Sequence, residues 1–264
     1  MLLKGSNRVR AARRLTRRAS RAELGLFLAE GPQAVREALA APGLVREVLA
    51  LPGRFPDLAE QAGAAGIPWL LLDEAALASL SETVTPQGVV AVCRTLDVPL
   101  GELLESAPRL LAVLTDVRDP GNAGTVVRCA DAAGADGVVL AGASVDPYNG
   151  KAVRATAGSL FHLPVALAPD PVEAVRRTRA AGLVVLAADG NGEVDLDEAL
   201  DDGLLDTPAA WLFGNEAHGL PEELGAVADH RVRIPIHGRA ESLNLATAAA
   251  VCLYASARAH RRRP

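Results

Sequence analysis

Three stretches of this chain set polar, glycine-containing clusters directly after short apolar runs. That order places ligand groups at the C-terminal ends of parallel strands. The first is Thr115-Asp116-Val117-Arg118-Asp119-Pro120-Gly121-Asn122-Ala123-Gly124, with Arg128 following in the next helical segment. Pro120 and the two glycines allow a sharp turn and a close approach of backbone to a ligand. An ordinary strand-to-helix turn with Asn122 as the helix cap, and Arg128 as a surface charge, accounts for the same residues. The second is Phe213-Gly214-Asn215-Glu216-Ala217-His218-Gly219-Leu220. Here Gly214 would let main-chain groups reach an adenine or ribose, and Glu216 would orient hydroxyls or a cation. His218, set among small residues, is given no catalytic role. The third is Ile234-Pro235-Ile236-His237-Gly238-Arg239-Ala240-Glu241-Ser242-Leu243-Asn244-Leu245, in which Ser242 could cap the last helix and Asn244 could bind the same turn.

The elements that must position these clusters alternate. From Leu110 onward, apolar runs at 110–114, 137–141, 163–167, 183–188, 209–213 and 231–236 read as strands. Between them, 125–133, 151–157, 172–181 and 221–228 read as helices, and a long Ala-rich helix spans 244–262. This is an α/β domain with a mostly parallel sheet covered on both faces. Ahead of it lies a smaller α/β domain: a basic helix over 7–21, helices near 33–41, 57–65 and 74–80, and strands near 45–51, 68–72 and 88–93. The expected division is residues 1–94, a linker over 95–109 with one short helix, and residues 110–264. No GxGxxG, Walker A, GxSxG or HExxH pattern is present, so dinucleotide, NTPase, serine-hydrolase and zinc-protease readings lose their main support.

Bulk properties narrow the field further. Half of the 264 residues are hydrophobic but only 3% are aromatic, so the core must be built from Ala, Val and Leu. No apolar run reaches membrane-spanning length, and no secretory signal is read at the N-terminus. Cys93, Cys129 and Cys252 are widely spaced in apolar surroundings, which implies buried free thiols, no metal site and a reducing cytoplasm. The net charge of −5 hides a polarity: Lys4, Arg8, Arg10, Arg13, Arg14, Arg17, Arg18 and Arg21 fall within the first 22 residues, where no acidic residue occurs. A basic arm on an acidic body suits a polyanion, though a solvated helix face gives the same pattern.

Taken together and in this order, the three clusters resemble the signature motifs of the SpoU family of SPOUT-class RNA methyltransferases. DPGNAGTVVRCA is similar to the first motif, LFGNEAHGL to the second and IPIHGRAESLNLATAAA to the third. The resemblance spans roughly Leu110 to Arg258, and Asn149–Ala155 and Gly158–Phe161 agree with it. Ser6–Arg10, Phe27–Gly31 and Thr85–Val89 resemble the substrate-binding domain often attached to this family, itself similar to RNA-binding ribosomal proteins.

The resemblance implies a C-terminal parallel-sheet domain with a deep trefoil knot and a smaller N-terminal RNA-binding domain. It implies a homodimer that uses S-adenosylmethionine (SAM) to methylate an RNA ribose 2′-hydroxyl. Backbone groups near Gly214, Ile234 and Leu243 would hold SAM, with Leu186 and Ala187, up to Ala188, completing the wall. The enzyme would align the 2′-oxygen with the methyl group and remove the hydroxyl proton, without metal. The family gives the base role to the arginine matching Arg128. Because guanidinium normally stays protonated, Arg128 could instead bind the adjacent phosphate and position the ribose. Asn122 and Glu216 would orient Arg128 or the nucleotide, and Ser242 and Asn244 would brace the site. RNA would be gripped by Arg8, Arg10, Arg13, Arg14, Arg17, Arg18 and Arg21, with Lys151 and Arg154 either adding phosphate contacts or forming a solvated face. Ribosomal RNA is the expected substrate; transfer RNA, a base nitrogen as acceptor, or a non-catalytic assembly factor are the alternatives.

Overall fold

The computed structural model describes residues 1–215 and 218–262, and these form two compact units. The first opens with α1 (Asn7–Arg14) and α2 (Arg18–Leu24), followed by β1 (Leu26–Glu30), α3 (Pro32–Ala40), β2 (Val45–Ala50), α4 (Pro56–Ala64), β3 (Trp69–Leu71), α5 (Glu74–Ala78) and β4 (Val89–Arg94). The strands form a sheet in the order β1-β4-β2-β3, antiparallel except for the parallel β2–β3 pair. One face buries Leu28, Leu49, Val90 and Val92 against Val9, Ala12 and Leu15 of the N-terminal segment and Ala76, Leu77 and Leu80 around α5.

The single basic helix expected over 7–21 is two helices, and Arg21 shows why. Its guanidinium is buried, and Nη1 donates to the carbonyl oxygens of Leu15 and Thr16 (2.9 and 3.0 Å). Two carbonyls at the break thus find a donor outside the helix ladder, which makes the interruption stable.

In the second unit, β5 (Asp97–Val98) and α6 (Leu100–Glu105) lead into β6 (Leu110–Thr115), α7 (Pro120–Ala133) and β7 (Gly137–Ala141). The chain then returns to the first unit with α8 (Gly150–Thr156). Back in the second unit follow β8 (Val165–Ala168), α9 (Pro171–Ala180), β9 (Val184–Ala188), β10 (Val194–Asp195), α10 (Leu196–Asp201), β11 (Ala209–Phe213), α11 (Glu222–Val227), β12 (His230–Arg233) and α12 (Leu245–Arg262). The sheet runs β10-β12-β9-β11-β6-β7-β8-β5, and each described strand pair in it is parallel. Every residue of β6, β7 and β11 is buried, as a sheet covered on both faces requires. The last helix is fixed from two sides: Trp211 Nε1 of β11 donates to Ser256 Oγ (2.9 Å), and the Tyr254 hydroxyl donates to the Ala132 carbonyl of α7 (3.4 Å).

The larger α/β organisation matches the expectation from the sequence; the boundaries differ where side chains outrank periodicity. Helix α7 starts at Pro120 rather than 125, because Asp119 Oδ1 caps the Asn122 N–H (2.8 Å) and proline fits the first helical position. Half of the first polar cluster is therefore helix, and Asp119, not Asn122, is the cap. Strand β12 stops at Arg233, ahead of Pro235, which has no N–H to give a ladder. The stretch read as a linker contributes β5 to the large sheet, and β10 and α10 are too short for a periodic signal.

Residues 146–161 lie, by sequence, inside the 110–264 stretch, yet they pack within the first unit. Arg21 forms an ion pair with Asp146 (2.7 Å), Arg154 one with Glu30 (3.0 Å), and the Tyr148 and Phe27 rings meet at 4.7 Å.

Candidate active site

The three polar clusters converge at the C-terminal ends of neighbouring strands β11 and β6 and at the start of α12. Parallel pairing aligns Phe213 with Leu114, so the segments that follow leave the sheet side by side. Thr115 Oγ1, fully buried, donates to the Phe213 carbonyl (3.1 Å) and ties the two exits together. One residue on, Asn215 Nδ2 donates to the Asp116 carbonyl (2.8 Å). Asn244 joins the third cluster to the first: its Nδ2 donates to Asn122 Oδ1 (3.1 Å), while its own Oδ1 accepts from the N–H groups of Ala246 and Thr247 (2.9 and 3.3 Å). Asn244 is thus the cap of α12, and Ser242, expected to share that role, is exposed and lies outside the turn.

Between the clusters is a cleft of ≈ 660 Å³ lined by Asp116, Arg118, Asp119, Asn122, Asn215, His218, Gly219 and Pro221. The second cluster forms a tight loop closed by two reciprocal bonds, Asn215 N to Gly219 O (3.0 Å) and Gly219 N to Asn215 O (2.8 Å). Gly214 is obligatory at its base, since a Cβ there would lie 2.3 Å from the Gly219 oxygen. Glu216, at the tip of that loop in sequence, lies outside the described residues. His218 Nδ1 faces Asn215 Oδ1 at 3.3 Å. The sequence marks neither His218 nor Asp116 as functional, and the left-handed backbone of Asp116 (φ 54°) becomes visible only in the structure.

The remaining expected site residues divide. Ile234 and Leu243, half-buried, belong to the irregular segment between β12 and α12, where main-chain groups are not committed to a ladder. Leu186 and Ala187 do not share that freedom. Both are fully buried inside β9, paired with Trp211 and Leu212 on one side and with His230 and Arg231 on the other, so the accessible strand end is Ala188 and not these two. Arg128 is exposed on α7 and is not among the residues lining the cleft. Six residues past Asn122, it points about 120° round the helix from it.

Among the basic residues, Arg21 is a correction. With its guanidinium buried and its charge paired on Asp146 and two carbonyls, it is a structural residue out of reach of a polyanion. Arg154 is held by nearly buried Glu30, which also accepts from Ser81 and Thr83. Arg8 pairs with Glu47 (3.4 Å), Arg14 with Glu23 (3.2 Å), and Arg10 donates to Asn7. Arg13, Arg17 and Arg18 are exposed, as is Lys151 at the start of α8.

Comparison with known proteins agrees with this geometry. Residues 109–254 match the model of the SpoU rRNA Methylase family, and residues 6–91 match the MRM3-like substrate binding domain. The chain is 36% identical over 255 residues to the 23S rRNA (guanosine(2553)-2′-O)-methyltransferase RlmP of Bacillus subtilis, covering 94% of this chain and 95% of that relative. Its fold superimposes on the AdoMet-bound rRNA methyltransferase of Sinorhizobium meliloti with a TM-score of 0.83 at 36% identity, over 96% of this chain and 95% of the other. It also superimposes on the SpoU methyltransferase AviRb of Streptomyces viridochromogenes in complex with AdoMet, with a TM-score of 0.84 at 32% identity, over 97% of this chain and 100% of that one. With both domain matches in sequence order and the three clusters tied together by hydrogen bonds, the chain belongs to the SpoU family of RNA methyltransferases.

Proposed function

We propose that this protein methylates a ribose 2′-hydroxyl of ribosomal RNA with SAM as methyl donor. The observation that carries the reading is the pair of side-chain bonds, Asn244 to Asn122 and Asn215 to the Asp116 carbonyl, that ties the third and second polar clusters to the first, beside the cleft that the first two line. A cleft of ≈ 660 Å³ is in the size class of small-molecule sites, about 300–1,000 Å³. Main chain at Gly214, Ile234, Leu243 and the end of β9 at Ala188, outside the lining of that cleft, would hold the adenosyl group by reading adenine and ribose edges without a dedicated side chain. When bound, SAM supplies an electrophilic methyl group on a good leaving group.

What remains for the protein is alignment of the 2′-oxygen with the methyl group, the hydroxyl proton passing to solvent water as the oxygen–methyl bond forms. Asn122 is fixed by Asn244 and stands at the cleft edge to orient the nucleotide, a role it would share with Glu216, the residue after Asn215 in sequence. Arg128 holds the phosphate next to the target ribose and so sets its 2′-oxygen; ordinary guanidinium chemistry favours that role over acting as the base. Because Arg128 lies outside the cleft of its own chain, we place it in the site of a partner subunit within a homodimer. The trefoil knot belongs to the same reading. What supports it is the chain path: β12 lies beyond β9, and the segment after it comes back to Asn122 before α12 packs along α7.

The first unit, residues 1–96 with 146–161, serves as the RNA-binding domain, and the second, 97–145 with 162–264, as the catalytic domain. The exposed Arg13, Arg17 and Arg18, with Arg8, Arg10, Arg14 and Lys151, supply phosphate contacts that give affinity more than sequence choice. Three free cysteines suit a reducing cytoplasm. The test is methyl transfer from labelled SAM to separate pools of ribosomal and transfer RNA, with the product mapped. Label at one ribosomal 2′-oxygen, abolished in Arg128→Ala, is the expected result. Label on a base nitrogen, or on transfer RNA alone, would refute the acceptor or the substrate respectively.

A further inference from the structure

Asp116 has no part in the chemistry above, yet three strand-end loops meet on it. Its N–H donates to the Ala141 carbonyl at the end of β7 (3.2 Å). Its carboxylate Oδ1 accepts from the Ala143 N–H (2.7 Å), in the loop after β7. Its carbonyl accepts from Asn215 Nδ2 (2.8 Å), in the loop after β11. Its backbone is left-handed, with φ 54°, a conformation disfavoured for residues with a side chain and best tolerated, glycine aside, by Asn and Asp. Such strain persists where the surroundings over-determine it, and it clusters at functional sites.

The neighbours are shaped around this residue. Gly142 leaves the room its carboxylate needs: a Cβ there would lie 2.5 Å from Asp116 Oδ1. Ser144 Oγ, buried, accepts from the Val117 N–H (3.2 Å) and faces the Ala141 carbonyl at 2.7 Å, holding the next residue of the same turn. Across the cleft, Asn215 and Gly219 are joined to each other by two reciprocal backbone bonds. The direction of the Asp116 carbonyl sets the angle of that pair.

We propose that Asp116 is a positioning residue for methyl transfer. Its carboxylate, anchored on Ala143, holds the left-handed turn, and the turn aims its carbonyl at Asn215. In this way it fixes the Gly214–Gly219 loop against the Asn122 side of the cleft. The proposal rests on the methyl-transfer reading for its consequence, but its geometry does not depend on the RNA.

Three substitutions in the full chain separate the parts: Asp116→Asn, Asp116→Ala and Asn215→Ala. Each is assayed for kcat and KM with RNA, for SAM affinity by calorimetry without RNA, and for melting temperature. Asp116→Asn keeps an Oδ1 acceptor and tolerance of the left-handed turn, so kcat and SAM affinity stay within about twofold of wild type. Asp116→Ala loses both, and kcat falls at least ~10-fold with KM for RNA unchanged, since a displacement of about 1 Å costs up to ~100-fold in rate. SAM affinity falls about fivefold to tenfold, the equivalent of one lost hydrogen bond. Asn215→Ala matches Asp116→Ala, and the double variant is no worse than either, because both act through one link.

Wild-type kcat and SAM affinity in Asp116→Ala would overturn the proposal, as would an Asp116→Asn variant as impaired as the alanine. If Asp116→Ala melts below the assay temperature, Asn215→Ala decides, and unchanged kcat there overturns it. Absence of ribose methylation by the wild-type chain would strike the reaction assigned above, while the calorimetric comparison would still decide the positioning role.

Discussion

Arg17 and Arg21 lie one helical turn apart at the start of the chain, and the sequence offers no reason to treat them differently. The structure does. Arg21 is buried on Asp146, whereas Arg17 is exposed. Deleting one partner of a buried pair leaves the other charged and desolvated, at a cost of about 3–5 kcal/mol. Arg21→Ala is therefore expected to lower the urea midpoint sharply. The combined Arg17→Ala, Arg18→Ala variant stays within about 0.5 kcal/mol of wild type per site and instead weakens RNA binding, with a shallower salt dependence. Equal stability of the two variants would show that the Asp146 contact is not as drawn. The same distinction applies in the cleft, where Asn244 serves both as helix cap and as the link to Asn122. The helix-start role is readable from its position before a helix; the link to Asn122, more than a hundred residues away in sequence, is not.

At the scale of elements, the site is made by where strands stop. Asp119 and Pro120 begin α7 early, Pro235 ends β12 early, and Gly214 lets β11 fold straight into a closed loop. Gly214→Ala forces a Cβ to within 2.3 Å of a backbone oxygen, so the loop must open. Overpacking of this kind costs about 1–3 kcal/mol. Because the loop lies beyond the C-terminal end of β11, outside the packed sheet, that cost is expected to appear mainly as SAM affinity lost by about tenfold or more, with a small drop in melting temperature. Isothermal titration beside a melting curve checks it. A variant that binds SAM normally would show that main chain at this loop does not hold the cofactor.

At the scale of the molecule, the two units carry separate reporters. Cys93 is buried in the first and Cys252 in the second, and burial pushes both thiols well above the ordinary range. Cys129, half-buried on α7, is raised chiefly by burial, opposed by the Arg128 charge. A thiol reagent at mildly alkaline pH is expected to modify Cys129 in the native protein, and Cys93 and Cys252 only as their own units unfold. Peptide mapping during a urea titration would follow the two in turn. The sign of the pH effect follows from the raised folded values. The contribution of a neutral buried thiol is complete below the unfolded thiol pKa of about 8.5. It is lost as pH climbs beyond that value toward the folded one, because only the unfolded chain ionises there. Stability constant or rising from pH 8 to 10 would contradict the burial of these thiols.

The sequence by itself determined the parallel α/β class, the basic N-terminal segment, and the order of the three polar clusters, because period, charge and turn chemistry are local properties. It also carried the family, since DPGNAGTVVRCA, LFGNEAHGL and IPIHGRAESLNLATAAA stand in a fixed order across half the chain. Only the tertiary structure decided which residues meet. It buried Arg21, closed Leu186 and Ala187 inside the sheet, moved 146–161 to the first unit, and turned Asp116 toward Asn215. Each of these depends on a partner between about a hundred and a few residues away, and no local pattern specifies which distant carbonyl or carboxylate a side chain will find once the strands are paired.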